Sequence, residues 1–309
     1  MNVSWVAATV RGRGLSLRRL GVEGASRVAA ATSLPDAIDA LIPTAYGREL
    51  RAGMDLATAQ HAINATLLWH LRVLAGWGPS IGTHPLRLFA AEFELANVEA
   101  LFDSLRGGTP SPPYVLGSLG LSWQAIASAG TAAEVRRALR SSLWGDPETD
   151  DPDGIRLTMQ LARTRLLAAG VPEAADWAIT DASLILARVM LNGALGELTA
   201  RARRDASSVL GSRWQQATSL PELVESLPRA GRAALSAVSE LEDLFTAQVR
   251  RWAMLESSAI RLIARTPASA ANTIGVAGAM MADAWRVSAA LTLAALGGSD
   301  LTEVLNAAA

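Results

Sequence analysis

LRLFAAEFELANVEALFDSLRGG, residues 86–108, has the period and the punctuation of a long helix. Leu88, Ala91, Leu95, Val98, Phe102 and Leu105 advance by three or four positions and make one apolar stripe. Thr83 stands where a cap is wanted, Pro85 suits a first turn, and Gly107 and Gly108 fit a left-handed C-terminal cap. Glu92, Glu94, Asn97, Glu99 and Asp103 occupy the other face, the place of solvent-facing residues in an amphipathic helix.

Outward from this stretch the chain repeats one local device. Thr32-Ser33-Leu34-Pro35-Asp36 starts a short helix, with Ser33 as cap and Asp36 where the helix dipole favours an acid. Thr131-Ala132-Ala133-Glu134 has capping-box spacing, and Thr218-Ser219-Leu220-Pro221-Glu222 repeats the earlier Thr-Ser-Leu-Pro start. Each is followed later in the chain by a long helix in which an acid, Glu94, Asp181 or Asp283, precedes an apolar run. Three starts at similar intervals with one order of elements predict a triplicated helical unit, with boundaries at 1–112, 113–206 and 207–309.

Between these devices the periodicity predicts a first helix that breaks near Gly12 to Gly14, long helices over 55–76, 152–170 and 172–191, and two more over 232–265 and 268–296. A last short capped piece is expected over 299–306. Period-two alternation is absent over any length, so the fold class is all-α without a sheet.

Composition narrows the chemistry. Half of the 309 residues are apolar, the net charge is −1, and all 28 basic residues are arginine. With no lysine there is no usual Walker A loop and no Schiff-base amine; with no cysteine there is no thiol nucleophile or cysteine zinc site. The balance of charge gives no footprint for nucleic acid. The first residues, MNVSWVAATVRGRG, place arginines after a short apolar run, unlike a secretory signal. The charge-free stretch over 266–282 is too short to span a membrane, for which roughly 20 residues are needed, and is read as a buried helix.

Several patterns look like sites. Gly78-Pro79-Ser80-Ile81-Gly82 matches the G-x-S-x-G elbow, a motif that needs a strand before its serine and acid and histidine partners after it; here a helix precedes it and only His84 follows. His61, His70 and His84 lack metal spacing, and the acidic run Asp146, Glu148, Asp150, Asp151, Asp153 lacks the glycine and final glutamate of a calcium loop. No catalytic, cofactor-binding or metal-ligating residue is therefore assigned. The arginine groups at 11, 13, 18 and 19, at 136, 137 and 140, and at 201, 203 and 204 read as solvated helix faces or as docking surfaces for acidic partners. The nine tryptophans read as core or as interface anchors.

With these residues assembled, the chain resembles the C-type central-stalk family of V/A-type (vacuolar/archaeal-type) rotary ATPases, whose eukaryotic counterpart is the d-type component. Thr44-Ala45-Tyr46-Gly47-Arg48-Glu49-Leu50 is similar to the family's T-x-Y-G-x-x-L segment, and residues 94–101, ELANVEAL, are similar to its acid-L-x-N-L-x-x-L helix. Ala282-Asp283-Ala284-Trp285-Arg286-Val287 resembles the last copy of that helix, and residues 5–11 resemble the family's aromatic opening. The helix asparagine, present at Asn97, is read as Ser183 in the second copy and Ala284 in the third. The resemblance implies three helical units arranged as a pseudo-threefold funnel on the cytoplasmic face of a proteolipid ring. It implies a non-catalytic rotor adaptor of the central stalk that meets the D/F-type shaft and passes torque during ion transport or ATP synthesis. It implies no cofactor, no nucleotide bound directly, no nucleic-acid partner, and peripheral membrane association through the ring. A helical scaffold or regulator outside any ATPase is the alternative reading.

Overall fold

The computed structural model describes residues 5–265 and 268–297. It is all-helical, 73% helix, with no strand among the described residues. The α-helices in order are α1 (Val6–Ser16), α2 (Gly21–Ala29), α3 (Leu34–Leu41), α4 (Leu56–Trp77), α5 (Thr83–Leu105), α6 (Trp123–Ile126) and α7 (Ala132–Arg140). They continue with α8 (Pro152–Gly170), α9 (Ala175–Leu191), α10 (Ala200–Leu210), α11 (Leu220–Ser226), α12 (Arg229–Leu235), α13 (Asp243–Arg265) and α14 (Ala270–Ala295).

Side-chain caps set six of the described starts. Ser33 accepts from the Asp36 amide, Asp55 from Thr58, Thr131 from Glu134, Asp151 from Gly154, Thr199 from Ala202 and Ser269 from Asn272. The end of α5 is a Schellman turn: Gly107, at φ 85°, donates to Ser104 O, and Gly108 donates to Asp103 O, both at 2.9 Å. Only glycine takes that φ without a Cβ penalty.

Four expectations are corrected. α1 runs through Gly12 without a break, because that position lies against α14; a Cβ there would come 3.0 Å from Val276 Cγ2. Thr83 is the first residue of α5 instead of its cap, since a 3-10 turn over Ser80–Gly82 leads directly into the helix. The helix expected over 232–265 is two helices. Ser239 donates its amide and its hydroxyl to the Asp243 carboxylate, at 2.8 and 2.7 Å, and Glu240 N donates at 3.2 Å, so local side-chain bonding starts α13 afresh. The Ser219 side chain caps nothing; Thr218 instead donates its amide and hydroxyl to Glu222. The piece expected over 299–306 lies outside the described residues.

The chain forms two compact units, Met1–Leu86 with Trp252–Ala309, and Arg87–Arg251. In the first, α14 packs against α1, α2, α3 and α4 and is buried on nearly every side from Asn272 to Val287. Small residues make this close packing possible: a Cβ on Gly275 would lie 2.7 Å from Ala259 O on α13. In the second unit one core joins α5 to α6, α7 and α8 through Val98, Phe102, Ile126, Val135, Trp144 and Ile155. Another gathers α9, α10, α11 and α12 around Leu186, Ala206, Leu223 and Leu235. No described helix is long and apolar enough to cross a membrane.

The acidic loop before α8 is a clasp. Asp146 receives Arg136 Nε at 2.7 Å and Arg140 Nε at 3.0 Å, while Glu148 receives the Arg201 amide at 2.8 Å and the Arg204 guanidinium. Glu148 holds a positive φ of 61° to do so. The second and third arginine groups are therefore largely matched by acids and carbonyls of the chain itself. Arg136 beside it, partly opposed by burial, holds the Asp146 carboxyl down from 3.8 to about 2. A depressed acid stabilises the fold above its unfolded value, and that contribution is lost as the pH falls through about 2. Asp146→Asn is expected to lower stability by about 0.5–1 kcal/mol at neutral pH, the scale of a partly exposed ion pair, and the difference from the parent should vanish near pH 2 in urea titrations.

Candidate functional site

Asp283 sits inside α14, fully buried. A carboxylate there must be supplied with donors or it would lose most of its charge to desolvation. Three arrive from the start of the chain: Leu20 N at 2.9 Å, Gly21 N at 2.8 Å and Tyr46 Oη at 2.8 Å. The two amides belong to the N-terminus of α2, where backbone N–H groups have no intrahelical acceptor and the dipole favours an anion. Burial first, and then the Asp283 charge, push the Tyr46 hydroxyl well above 10, so it stays protonated and donates. On the other side Arg286 Nη1 reaches Asp283 at 3.3 Å and also pairs with Glu256, which receives Arg19 at 2.6 Å. Alternating charges thus tie α14 to α13 and to the α1–α2 turn.

Tyr46 is delivered by a turn held by Thr44 and Gly47. Thr44 Oγ1 donates to Leu41 O at 2.6 Å and accepts from Tyr46 N at 3.2 Å. The backbone then doubles back so closely that a Cβ on Gly47 would lie 1.8 Å from Ile42 O. His70 Nε2 lies 3.0 Å from Ala45 O, fixing the loop to α4, and burial lowers the imidazole's pKa. The Thr-x-Tyr-Gly segment is a device for placing one hydroxyl.

Glu94 on α5 repeats the arrangement in the second unit. It is 1% exposed and receives Leu121 N at 2.6 Å, Ser122 N at 2.9 Å and Trp144 Nε1 at 2.7 Å. The two amides immediately precede α6. Burial raises the Glu94 pKa, against the opposing pull of Trp144 and the backbone donors. One turn on, Asn97 holds Tyr114 by both backbone groups, accepting from its amide at 2.6 Å and donating to its carbonyl at 3.0 Å. The face of α5 expected to meet solvent at Glu94 and Asn97 is therefore buried.

The two latches share an order along the chain. Two successive amides come first, at 20–21 and at 121–122. A short capped helix follows, α3 or α7, and then an aromatic residue, Tyr46 or Trp144, whose polar hydrogen returns to the same carboxylate. The third acid departs from this. Asp181 on α9 receives both Arg251 Nη2 and Arg163 Nη2 at 2.8 Å, with Arg251 Nε also close, and takes no backbone amide. Burial opposes its charge, but Arg251 and Arg163 together outweigh that and hold the carboxyl below its usual range. Counting from the acids, the counterparts of Asn97 are Leu184 and Arg286, not Ser183 and Ala284.

The other sequence candidates come apart. Ser80 is exposed in the 3-10 turn between α4 and α5, with no strand before it, so the strained elbow of a hydrolase is not formed. Among the described residues no group of histidine and carboxylate side chains could hold a metal ion. Trp144 and Trp214 are core residues, each 1% exposed, whereas Trp77 is 45% exposed. The latches themselves were visible in sequence only as three similarly placed acids; the donors lie 27 to 263 residues away. No protein-family model and no curated protein matches the chain.

Glu94→Gln places an amide NH₂ where only donors converge, and is expected to destabilise the protein by about 2–4 kcal/mol in denaturant unfolding. Trp144→Phe removes one donor and leaves two, for which about 1–2 kcal/mol is expected. Gly47→Ala forces the Thr44 turn open; expression with loss of more than about 3 kcal/mol, or no folded protein, is the expected result, and unaltered stability would contradict the turn's role.

Proposed function

We propose that this chain is a non-catalytic rotor adaptor of the central stalk in a V/A-type rotary ATPase, joining a D/F-type shaft to a proteolipid ring. The observation that carries the reading is the coincidence of the latches with the family-like segments. Tyr46 and Gly47 lie in the T-x-Y-G segment, Glu94 and Asn97 lie in the acid-L-x-N helix, and Asp283 lies in the last copy of that helix. These residues, similar to the family's, are the ones that fix helices to one another.

The role suits such a body. A coupling that passes torque must resist deformation, and a buried carboxylate holding a helix start by two amides and an aromatic donor resists sliding and rotation at once. In this reading the three acids mark three units, 1–112, 113–206 and 207–309, disposed as a pseudo-threefold funnel whose opening takes the shaft tip. The funnel sits on the cytoplasmic face of the ring, contributes to ion transport or ATP synthesis without binding nucleotide, and reaches the membrane only through its partners. The departure at Asp181 favours a second reading, a helical scaffold or regulator outside any ATPase.

A tagged chain expressed in its own cells separates the two. The rotor reading expects purification in mild detergent to recover a proteolipid ring together with a D/F-type shaft, and genes for the catalytic A- and B-type components nearby in the genome. Recovery of neither ring nor shaft contradicts it and favours the scaffold.

A further inference from the structure

We propose that the groove between α1 and α4 docks an acidic amphipathic helix of a partner protein. The groove encloses about 330 Å³, and its lining includes Val10, Leu15, Val73 and Leu74, with Arg11 and Arg18 at its edge. It is open at an apolar side: Val10 in its lining is 65% exposed, and Trp77, against which the lining residue Arg11 lies, is 45% exposed. Uncovered apolar side chains clustered around a concavity mark a surface that another chain covers.

Charge selects the occupant. Residues 5–22 and 56–77, which hold α1 and α4, contain no aspartate or glutamate, in a protein whose acids and arginines nearly balance as a whole. Arg11 lies over the Trp77 ring at 3.8 Å and Arg48 over Trp69 at 4.2 Å, with Arg48 also 3.1 Å from Glu49. His70, at the groove, is kept toward its neutral form by burial first and also by Arg18 and Arg48. An apolar floor with cationic edges complements a helix that carries leucine-like residues on one face and carboxylates beside them.

Other occupants fit less well. A second copy presenting the same patch across a two-fold axis would set arginine against arginine. Single-stranded nucleic acid needs free aromatic faces for stacking, and here guanidinium groups lie over both indoles. The groove is independent of the rotor reading and of the latches, and either can fail without the other.

The test uses two fluorescein-labelled helical peptides, one with leucine on one face and glutamate on the other, the second with lysine in place of every glutamate. Fluorescence anisotropy with the full chain is expected to show the glutamate peptide bound at least about tenfold more tightly than the lysine peptide, with the preference weakening as salt rises. Arg11→Glu with Arg18→Glu should invert the preference, and Val10→Asp should weaken both peptides, with the far-ultraviolet circular dichroism of each variant unchanged. The proposal is overturned if the glutamate peptide does not bind, if neither peptide is preferred, or if the double variant binds as the parent does. It is overturned equally if phosphatidylglycerol vesicles, single-stranded DNA or a second copy of the chain binds more tightly than the glutamate peptide and loses that binding in the double variant.

Discussion

A carboxylate taken out of water must be met by donors, and most of this architecture answers that demand. Asp283 and Glu94 lie in the interiors of long helices, where the helix's own amides are already engaged. Each is met by a part of a helical protein that has amides to give, the chain at or just before the start of another helix. Two orphan groups that would each be expensive alone become a fixed point between elements far apart in sequence.

From that fixed point the neighbouring geometry follows. The aromatic third donor has to come back to the same carboxylate, so the chain between amides and aromatic is constrained to a short helix and a tight turn. In the first unit this requires the Thr44 hydroxyl bridge and a glycine at 47; in the second it requires the clasp of Asp146 and Glu148 on arginines of α7 and α10 around Trp144. Arg201 completes the clasp by donating to the Trp144 carbonyl at 2.8 Å. Hydrogen bonds to a charged, buried acceptor are about twice as strong as neutral ones, and they gain further from low local dielectric. Stiffness here comes from polar pins set in an apolar, small-residue packing, which is the property the rotor proposal draws on.

The sequence made the local features readable and hid the distant ones. The caps at Ser33 and Thr131, the Gly107 turn and the bounds of α8 depend on residues within five positions of each other, and they stand where the pattern puts them. Glu94 and Asn97 looked like a wet face because a helical period cannot register a backbone segment, 114–122, that folds back to cover it. The acids that pair with the second and third arginine groups were hidden for the same reason: Glu148 and Arg204 are 56 residues apart. The break between α12 and α13 was missed because Ser239 and Asp243 also fit a helical surface, and only their hydrogen bonds to one another show that they stop it. Three acids at similar places were legible; that two of them grip helix starts while the third grips arginines was not.

Amide hydrogen exchange at the four latch positions tests the central claim most directly. Amides at or just before a helix start ordinarily exchange fast, because nothing in the helix accepts from them. If the carboxylates pin these helices, the amides of Leu20, Gly21, Leu121 and Ser122 exchange only with the slowest, core-opening motions of their units. Exchange at those four amides as fast as at the exposed start of α4 contradicts the account.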